Sequence, residues 1–294
     1  VTLGGTAVGV FADKNAGTAK AVTVTGNTIS GTDAANYVLS QQAGLTADVT
    51  QASLSVTGLT ASNKTYDTTT SATLGGTAAI TALTGDTVTL GGTAVGTFAD
   101  KNVGTNKAIL VSGLSLSGAD AANYTVGALS ATADITAKAL TAIYTATSKV
   151  YDATTTATVT GSTSDVIGSD VVTFSQNGAF TDKNVGTGKT VNVTGISLSG
   201  TDASNYSLQN TIASTTADIS RASLNVTGAS AANKVYDATA IATVIGGSVA
   251  ALGSDSVTLS GANATFANKN VGTAKAVTTS YALSGTDSGN YTLV

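Results

Sequence analysis

Three aspartates in this chain directly follow a tyrosine, and each Tyr-Asp pair has a lysine two residues ahead of it. The pairs are Tyr66-Asp67, Tyr151-Asp152 and Tyr236-Asp237, after Lys64, Lys149 and Lys234. A second acidic landmark recurs four times, as Asp33…Tyr37, Asp120…Tyr124, Asp202…Tyr206 and Asp287…Tyr291, each with an asparagine just before the tyrosine. Carboxylates so placed could serve as acid–base pairs, as calcium ligands or as turn-forming groups. Acid–base catalysis asks for one pair of carboxylates in one pocket, with environments that drive their proton affinities apart. Here the aspartates return with a fixed step, the tyrosines of the first landmark lying 85 residues apart twice over. A feature copied with the fold reads as architecture. The landmark residues are therefore structural candidates, and no catalytic, cofactor-binding or metal residue is assigned among them. The chain is expected not to be an enzyme and to need no cofactor.

Other chemistries are thinly supplied. There is no His and no Cys, so no nucleophile–base pair stands out among the many Ser and Thr. Gly186-Thr187-Gly188-Lys189-Thr190 looks like the end of a phosphate-binding loop, but the glycine required five residues before Gly188 is Lys183. A tight turn entering a strand accounts for these glycines. The Asp-Lys-Asn triplets at Asp13, Asp100 and Asp182 become Asn268-Lys269-Asn270 in the last copy. Asp and Asn both bond to nearby backbone in turns, whereas an essential carboxylate ligand would not lapse to an amide. Asp48, Asp134 and Asp218 stand beside the joints between copies, where calcium could stiffen the array, yet no dense Asp-x-Asp loop is present. The recurring Lys14, Lys101, Lys183 and Lys269 near recurring asparagines also raise the idea of a Lys–Asn isopeptide link; a solvated turn lysine is the simpler reading.

The elements that carry these residues follow from the repeat. The chain is one unit of about 85 residues copied in tandem. Its opening 24 residues match Val88–Val111 at 19 positions. The domains are residues 1–50, the later part of a repeat; 51–136 and 137–220, full repeats; and 221–294, a repeat without its last strand. Both ends fall inside a repeat and the chain begins at Val1, so it reads as a window of a longer array. A unit of this size buries about 60–65% of its unfolded surface, enough for its own core.

Pro, Cys, Met, Trp, His and Glu are absent, and all 17 acidic residues are Asp. An alphabet of Thr, Val, Ala, Gly, Ser and Asp favours strands and turns over helix. About seven strands per copy can be read by alternation, among them Leu54–Thr57, Thr154–Val159, Asp170–Phe174 and Val191–Leu198, the last slipping register at Gly195 as a β-bulge would. The expected architecture is all-β, a tandem array of small immunoglobulin-like β-sandwiches, with β-grasp-like repeats as the alternative. The Asp-x-x-Asn-Tyr element is similar to a tyrosine corner, in which the hydroxyl turns back onto nearby backbone.

With 10% charged residues, a net charge of −4 and a single arginine, Arg221, nucleic-acid binding is not expected. No apolar run approaches the roughly 20 residues that span a bilayer, so no membrane insertion is expected in this segment.

Taken together, Lys-x-Tyr-Asp, Phe-Ala-Asp-Lys-Asn-x-Gly and Gly-x-Asp-Ala-Ala-Asn-Tyr resemble the YDG-type repeat of very large secreted bacterial surface proteins, including filamentous-haemagglutinin-like adhesins. One departure is that Thr68, Ala153 and Ala238 follow Tyr-Asp where the family name implies Gly, which questions a special turn there. The resemblance implies an extracellular or cell-surface location and a structural stalk that projects a binding tip. Its expected partners are neighbouring repeats, further copies in a filament or matrix, or host glycans and proteins bound multivalently.

Overall fold

The computed structural model describes residues 1–294. It holds β-strands and four single-turn 3-10 helices, with no α-helix. The all-β expectation is met, as a chain rich in β-branched residues and free of Glu and Met would require.

Two compact units are present, Val1–Lys138 and Ala139–Val294. In the first, Thr2–Phe11, Gly17–Ser30 and Leu45–Val49 form a three-stranded antiparallel sheet. The second repeat follows with a five-stranded sheet in the order Lys64–Thr65, Ser130–Thr136, Gly104–Ser117, Thr89–Phe98, Ser71–Ala72. Its strand Ser130–Thr136, here called the closing strand, runs antiparallel to Gly104–Ser117 and parallel to Lys64–Thr65. A hairpin of Thr57–Ala61 with Leu74–Ala79 and a parallel pair of Ala52–Leu54 with Tyr124–Val126 complete the repeat. That makes nine strands where the alternation suggested about seven, because several are only two or three residues long and carry too little pattern to read.

The second unit repeats the plan. Lys149–Val150, Ala213–Ser220, Gly186–Ser199, Thr173–Phe180 and Thr156–Ala157 form its five-stranded sheet, closed by Ala213–Ser220. The fourth repeat has the hairpins Thr227–Ala231 with Val244–Ser248 and Thr258–Phe266 with Val277–Ser284, and the parallel pair Ala222–Leu224 with Tyr291–Leu293. One apolar cluster holds Tyr151, Phe180, Val191 and Ile219 of the third repeat and continues into Leu224 and Tyr291 of the fourth. Those two repeats therefore share buried surface rather than meeting only through solvent.

The bulge read from sequence is present. Pairing steps from Ser175↔Ser197 to Asn177↔Thr194, leaving Gly195 (φ +63°) as part of an extra residue's worth of chain. In the second repeat the irregularity lies on the facing strand and needs two glycines. Gly92 and Gly113 both have positive φ (88° and 83°), and a Cβ on Gly92 would sit 2.2 Å from the Gly113 carbonyl oxygen. Gly92→Ala is expected to cost about 2–4 kcal/mol, from left-handed strain plus a backbone clash. Gly188→Ala, also at positive φ but facing open space, is expected to cost about 1 kcal/mol. Ala19 and Ala274 already hold the corresponding position in sister repeats. Denaturant midpoints of the two variants check the contrast.

Candidate functional site

Three local devices converge on the joints between repeats. The first is the Asp-Lys-Asn turn. Asp182 Oδ1 accepts the Asn184 N–H at 2.8 Å and the Lys189 ammonium at 2.5 Å. Asp13 and Asp100 accept the N–H of Asn15 and Asn102 in the same way, each at 2.7 Å. In the fourth repeat the Asn268 side-chain oxygen does the same for the Asn270 N–H at 3.0 Å, which is why an amide can replace the acid. The lysine bond, then the backbone bond, hold the Asp13, Asp100 and Asp182 carboxyls below the usual range. Each turn thereby places the lysine between its aspartate and asparagine, Lys14 or Lys183, where it reaches an aspartate of the next repeat.

The second device is the Tyr-Asp turn. Asp67 Oδ1 accepts the Thr69 N–H at 2.9 Å and the Lys64 ammonium at 2.7 Å, and Asp152 and Asp237 repeat the pattern with Lys149 and Lys234. Lys234, then the Thr239 N–H, lower the Asp237 carboxyl to about 2. The residues where the family motif would have glycine do adopt left-handed backbone, with φ of 68° at Thr68, 62° at Ala153 and 64° at Ala238. The special turn is thus retained without glycine. The aspartate bonds on either side hold the chain in a conformation that costs an L-residue about 1 kcal/mol.

The third is the Asn-Tyr element. In all four copies the aspartate precedes a 3-10 turn and the tyrosine follows it. The hydroxyl reaches much further back along the chain than a tyrosine corner would. Tyr291 Oη accepts the Leu252 N–H at 2.9 Å, 39 residues upstream, and Tyr124 and Tyr206 do the same with Leu83 and Ile167. The sequence expectation of nearby backbone is corrected on this point. The tyrosine closes a long loop onto the end of its own repeat, and its proton goes to an aspartate in that loop, Asp86, Asp170 or Asp255.

At the joint between the third and fourth repeats these devices meet. Asp255, with a side chain only 1% exposed, binds the Lys183 ammonium through Oδ1. Its Oδ2 accepts both tyrosine hydroxyls, from Tyr151 at 2.6 Å and Tyr291 at 2.7 Å. Lys183 also lies 3.3 Å from Asp287, whose other oxygen accepts the Ser256 N–H at 2.9 Å. The two tyrosine rings pack edge to face at 5.3 Å. Buried Asn290 accepts the Val185 N–H at 2.9 Å and donates to Asn184 at 3.2 Å. A buried amide satisfied on both sides fixes the angle of approach, since any slip would orphan its polar atoms.

The joint between the first and second repeats has the same parts. Lys14 binds Asp86 at 2.5 Å and Asp120 at 3.2 Å, Tyr124 donates to Asp86 at 2.6 Å, and Thr87 N–H bonds Asp120 at 2.8 Å. Asn123 accepts the Ala16 N–H at 2.8 Å and donates to Asn15 at 3.2 Å. The residues described before Lys14 include no counterpart of Tyr151.

The landmark residues thus divide. Tyr151, Asp287 and Tyr291 are brought together at one joint, and Asp120 and Tyr124 at the other. Tyr66 is buried beneath the Lys101 ammonium, 5.7 Å from its ring. Asp202 accepts the Val171 N–H at 2.9 Å beside Tyr206. Asp33 and Tyr37 keep their 3-10 turn, but Tyr37 is 63% exposed, and Tyr236 is 56% exposed. The sequence reading missed the joint's central acid. Asp170 was legible only as a strand start, although the steps of 84 and 85 residues that link Asp86, Asp170 and Asp255 were a usable signal. The calcium candidates have another role. Asp48, Asp134 and Asp218 accept the N–H groups of Ala19, Asn106 and Gly188 at 2.7–2.8 Å and fasten the closing strand to the long strand.

Electrostatics favour ion pairs over an amide crosslink. Asp255, bonded to Lys183, pushes the lysine well above its ordinary range. Burial raises the Asp255 carboxyl, but the bonds from Lys183, Tyr151 and Tyr291 outweigh it and hold the group low. A Lys–Asn link needs a neutral amine to attack the asparagine carboxamide and release ammonia, whereas these lysines are held charged against carboxylates.

The signs of these shifts define two pH windows. Carboxyls held low contribute stability above their unfolded value of about 3.9, which is lost as pH falls through their folded values, toward 2 for Asp237. Burial and the Asp255 carboxylate raise Tyr291 to about 12, so its contribution is full below about 10 and is lost as pH rises through 12. Thermal unfolding followed by circular dichroism is expected to show a plateau between these windows and to fall on both sides.

A model of the YDG domain matches residues 1–44, 50–133, 136–217 and 220–294. The chain belongs to the YDG domain family. The four matches follow the repeats traced from the Tyr-Asp and Asn-Tyr landmarks. No curated protein and no solved structure matches the chain.

Proposed function

We propose that these YDG repeats form a non-catalytic, extracellular stalk, part of a bacterial adhesin or surface fibre that holds a binding tip away from the cell. The observation that carries this reading is the duplicated joint: the same lysine, aspartate, tyrosine and asparagine contacts fix the first repeat to the second and the third to the fourth. A single residue, Arg221, separates the closing strand Ala213–Ser220 from the next repeat's Ala222–Leu224, too little chain for a flexible linker. The recurring acids and hydroxyls are consumed in turns and joints, which supports a structural role over a catalytic one. For the finer architecture, the parallel pairing of Lys64–Thr65 or Lys149–Val150 with the closing strand favours a β-grasp-like sheet over a purely antiparallel sandwich.

Pulling the chain from its ends by atomic force microscopy tests the stalk. Complete repeats should unfold one at a time, each releasing about 250–300 Å of chain. Extension without separate resisted steps would contradict it.

A further inference from the structure

At both joints the Asp-Lys-Asn turn of one repeat meets the Asn-Tyr element of the next. The chain runs the same way through a repeat. It enters the second repeat beside the Asn-Tyr element, where Ala52 pairs with Tyr124. It leaves beside the Asp-Lys-Asn turn, where Ile135 of the closing strand pairs with Gly104. In the third repeat Ile219 pairs with Gly186 at the same place. A pull on the two ends of the chain therefore draws each closing strand lengthwise out of its sheet, and the entry strand Ala52–Leu54 lengthwise in the opposite sense.

The bonds that hold these strands lie across that motion. Ala52–Leu54 runs parallel to Tyr124–Val126, and the Gly127 N–H bonds the Leu54 carbonyl at 2.8 Å. The Gln51 side-chain amide donates to the Ala122 carbonyl at 2.8 Å beside the entry point. Each closing strand is wedged between an antiparallel and a parallel neighbour: Gly104–Ser117 and Lys64–Thr65 in the second repeat, Gly186–Ser199 and Lys149–Val150 in the third. Bonds across a strand pulled lengthwise are strained together, whereas a hairpin opened from its end loses them pair by pair.

One residue pins each closing strand on both flanks. Asp134 donates its N–H to Asn63 Oδ1 at 2.7 Å, and its carboxylate accepts the Asn106 N–H at 2.8 Å on the other side. Asp218 does the same with Ser148 Oγ at 2.9 Å and the Gly188 N–H at 2.7 Å. The N–H groups of Tyr66 and Tyr151 add bonds to the Thr136 and Ser220 carbonyls, each at 2.8 Å. Ile135 and Ile219, both 1% exposed, anchor the same strands in the core. A slip of one residue would turn either isoleucine out to solvent.

We propose that the closing strand is a shear clamp and that the second and third repeats bear tension along the chain, with Asp134 and Asp218 as the pins. This goes beyond the stalk reading, because a stalk requires resistance to bending and not to a lengthwise pull.

The test is single-molecule force spectroscopy of the 294-residue chain along two axes. The chain has no Cys, so Thr173→Cys with Ser199→Cys supplies handles on two exposed, paired residues at the open end of a hairpin. Through these handles the third repeat is expected to yield at no more than about half the force that it withstands through the chain ends. Ser148→Ala with Asp218→Ala removes one bond on each flank and should lower the chain-end force of that repeat by at least about a quarter, leaving the handle force the same. Tyr144→Leu lies in the separate cluster of Ala142, Val193 and Ile196. It should lower the urea midpoint and leave the chain-end force unchanged. Equal forces along the two axes overturn the proposal. So does a chain-end force that ignores the loss of the pins, or that falls as far with Tyr144→Leu. Separate resisted steps in any of those cases would leave the stalk reading standing.

Discussion

Asp255→Ala is expected to loosen the fourth repeat from the third and to lower its stability by about 2–4 kcal/mol. The carboxylate is nearly inaccessible and is the common acceptor for the Lys183 ammonium and for the hydroxyls of Tyr151 and Tyr291. Truncation leaves the Tyr151 and Tyr291 hydroxyl protons without their acceptor beside an apolar cluster and leaves the ammonium with Asp287 as its remaining carboxylate. The loss should therefore exceed that of an exposed ion pair, which is worth at most about 1 kcal/mol. Asp255→Asn keeps the shape and one acceptor oxygen and should lose less than half as much. Hydrogen exchange resolved by repeat reads the difference, with the fourth repeat opening first in Asp255→Ala and the sheet of the third largely unaffected.

A second large loss is expected from Ile219→Ala, about 3–5 kcal/mol in the third repeat. The side chain is 1% exposed in a cluster with Tyr151, Phe180 and Val191, and its backbone bridges two strands. Deleting three carbons there leaves a cavity that flanking strands cannot close without breaking register. Val49 holds the same position on Leu45–Val49 and is only partly buried, so Val49→Ala should cost less, about 1 kcal/mol. The pair of variants contrasts a buried position bonded to strands on both sides with a partly exposed one bonded on a single side. Urea unfolding followed by tyrosine fluorescence, in a chain without Trp, measures both.

What could be read from the sequence was local. Fixed steps between Tyr66, Tyr151 and Tyr236 revealed the repeat, Asp182 and Asn184 the turn, and Gly195 the bulge, because each depends on a few neighbouring residues. The partner of Lys183 was not legible, since Asp255 lies 72 residues away in another copy and nothing in the intervening chain encodes proximity. The reach of Tyr291 to Leu252 was hidden for the same reason. Thr68, Ala153 and Ala238 misled in a different way. Glycine is the usual sign of left-handed backbone, and here the flanking Asp-to-Thr and Lys-to-Asp bonds impose that backbone on residues that do not prefer it.

That reading makes the first–second and third–fourth joints fixed contacts held by an asparagine, partly buried Asn123 in one and buried Asn290 in the other. Amide exchange at three equivalent turn positions tests it most directly. Val185 N–H bonds to Asn290 and Ala16 N–H to Asn123, whereas Val271 holds the same place in the fourth repeat and is 88% exposed. Val185 and Ala16 should exchange at least about a hundredfold more slowly than Val271 once intrinsic rates are corrected. Equal rates at the three positions would mean that the joints open freely and that the repeats are beads on a string.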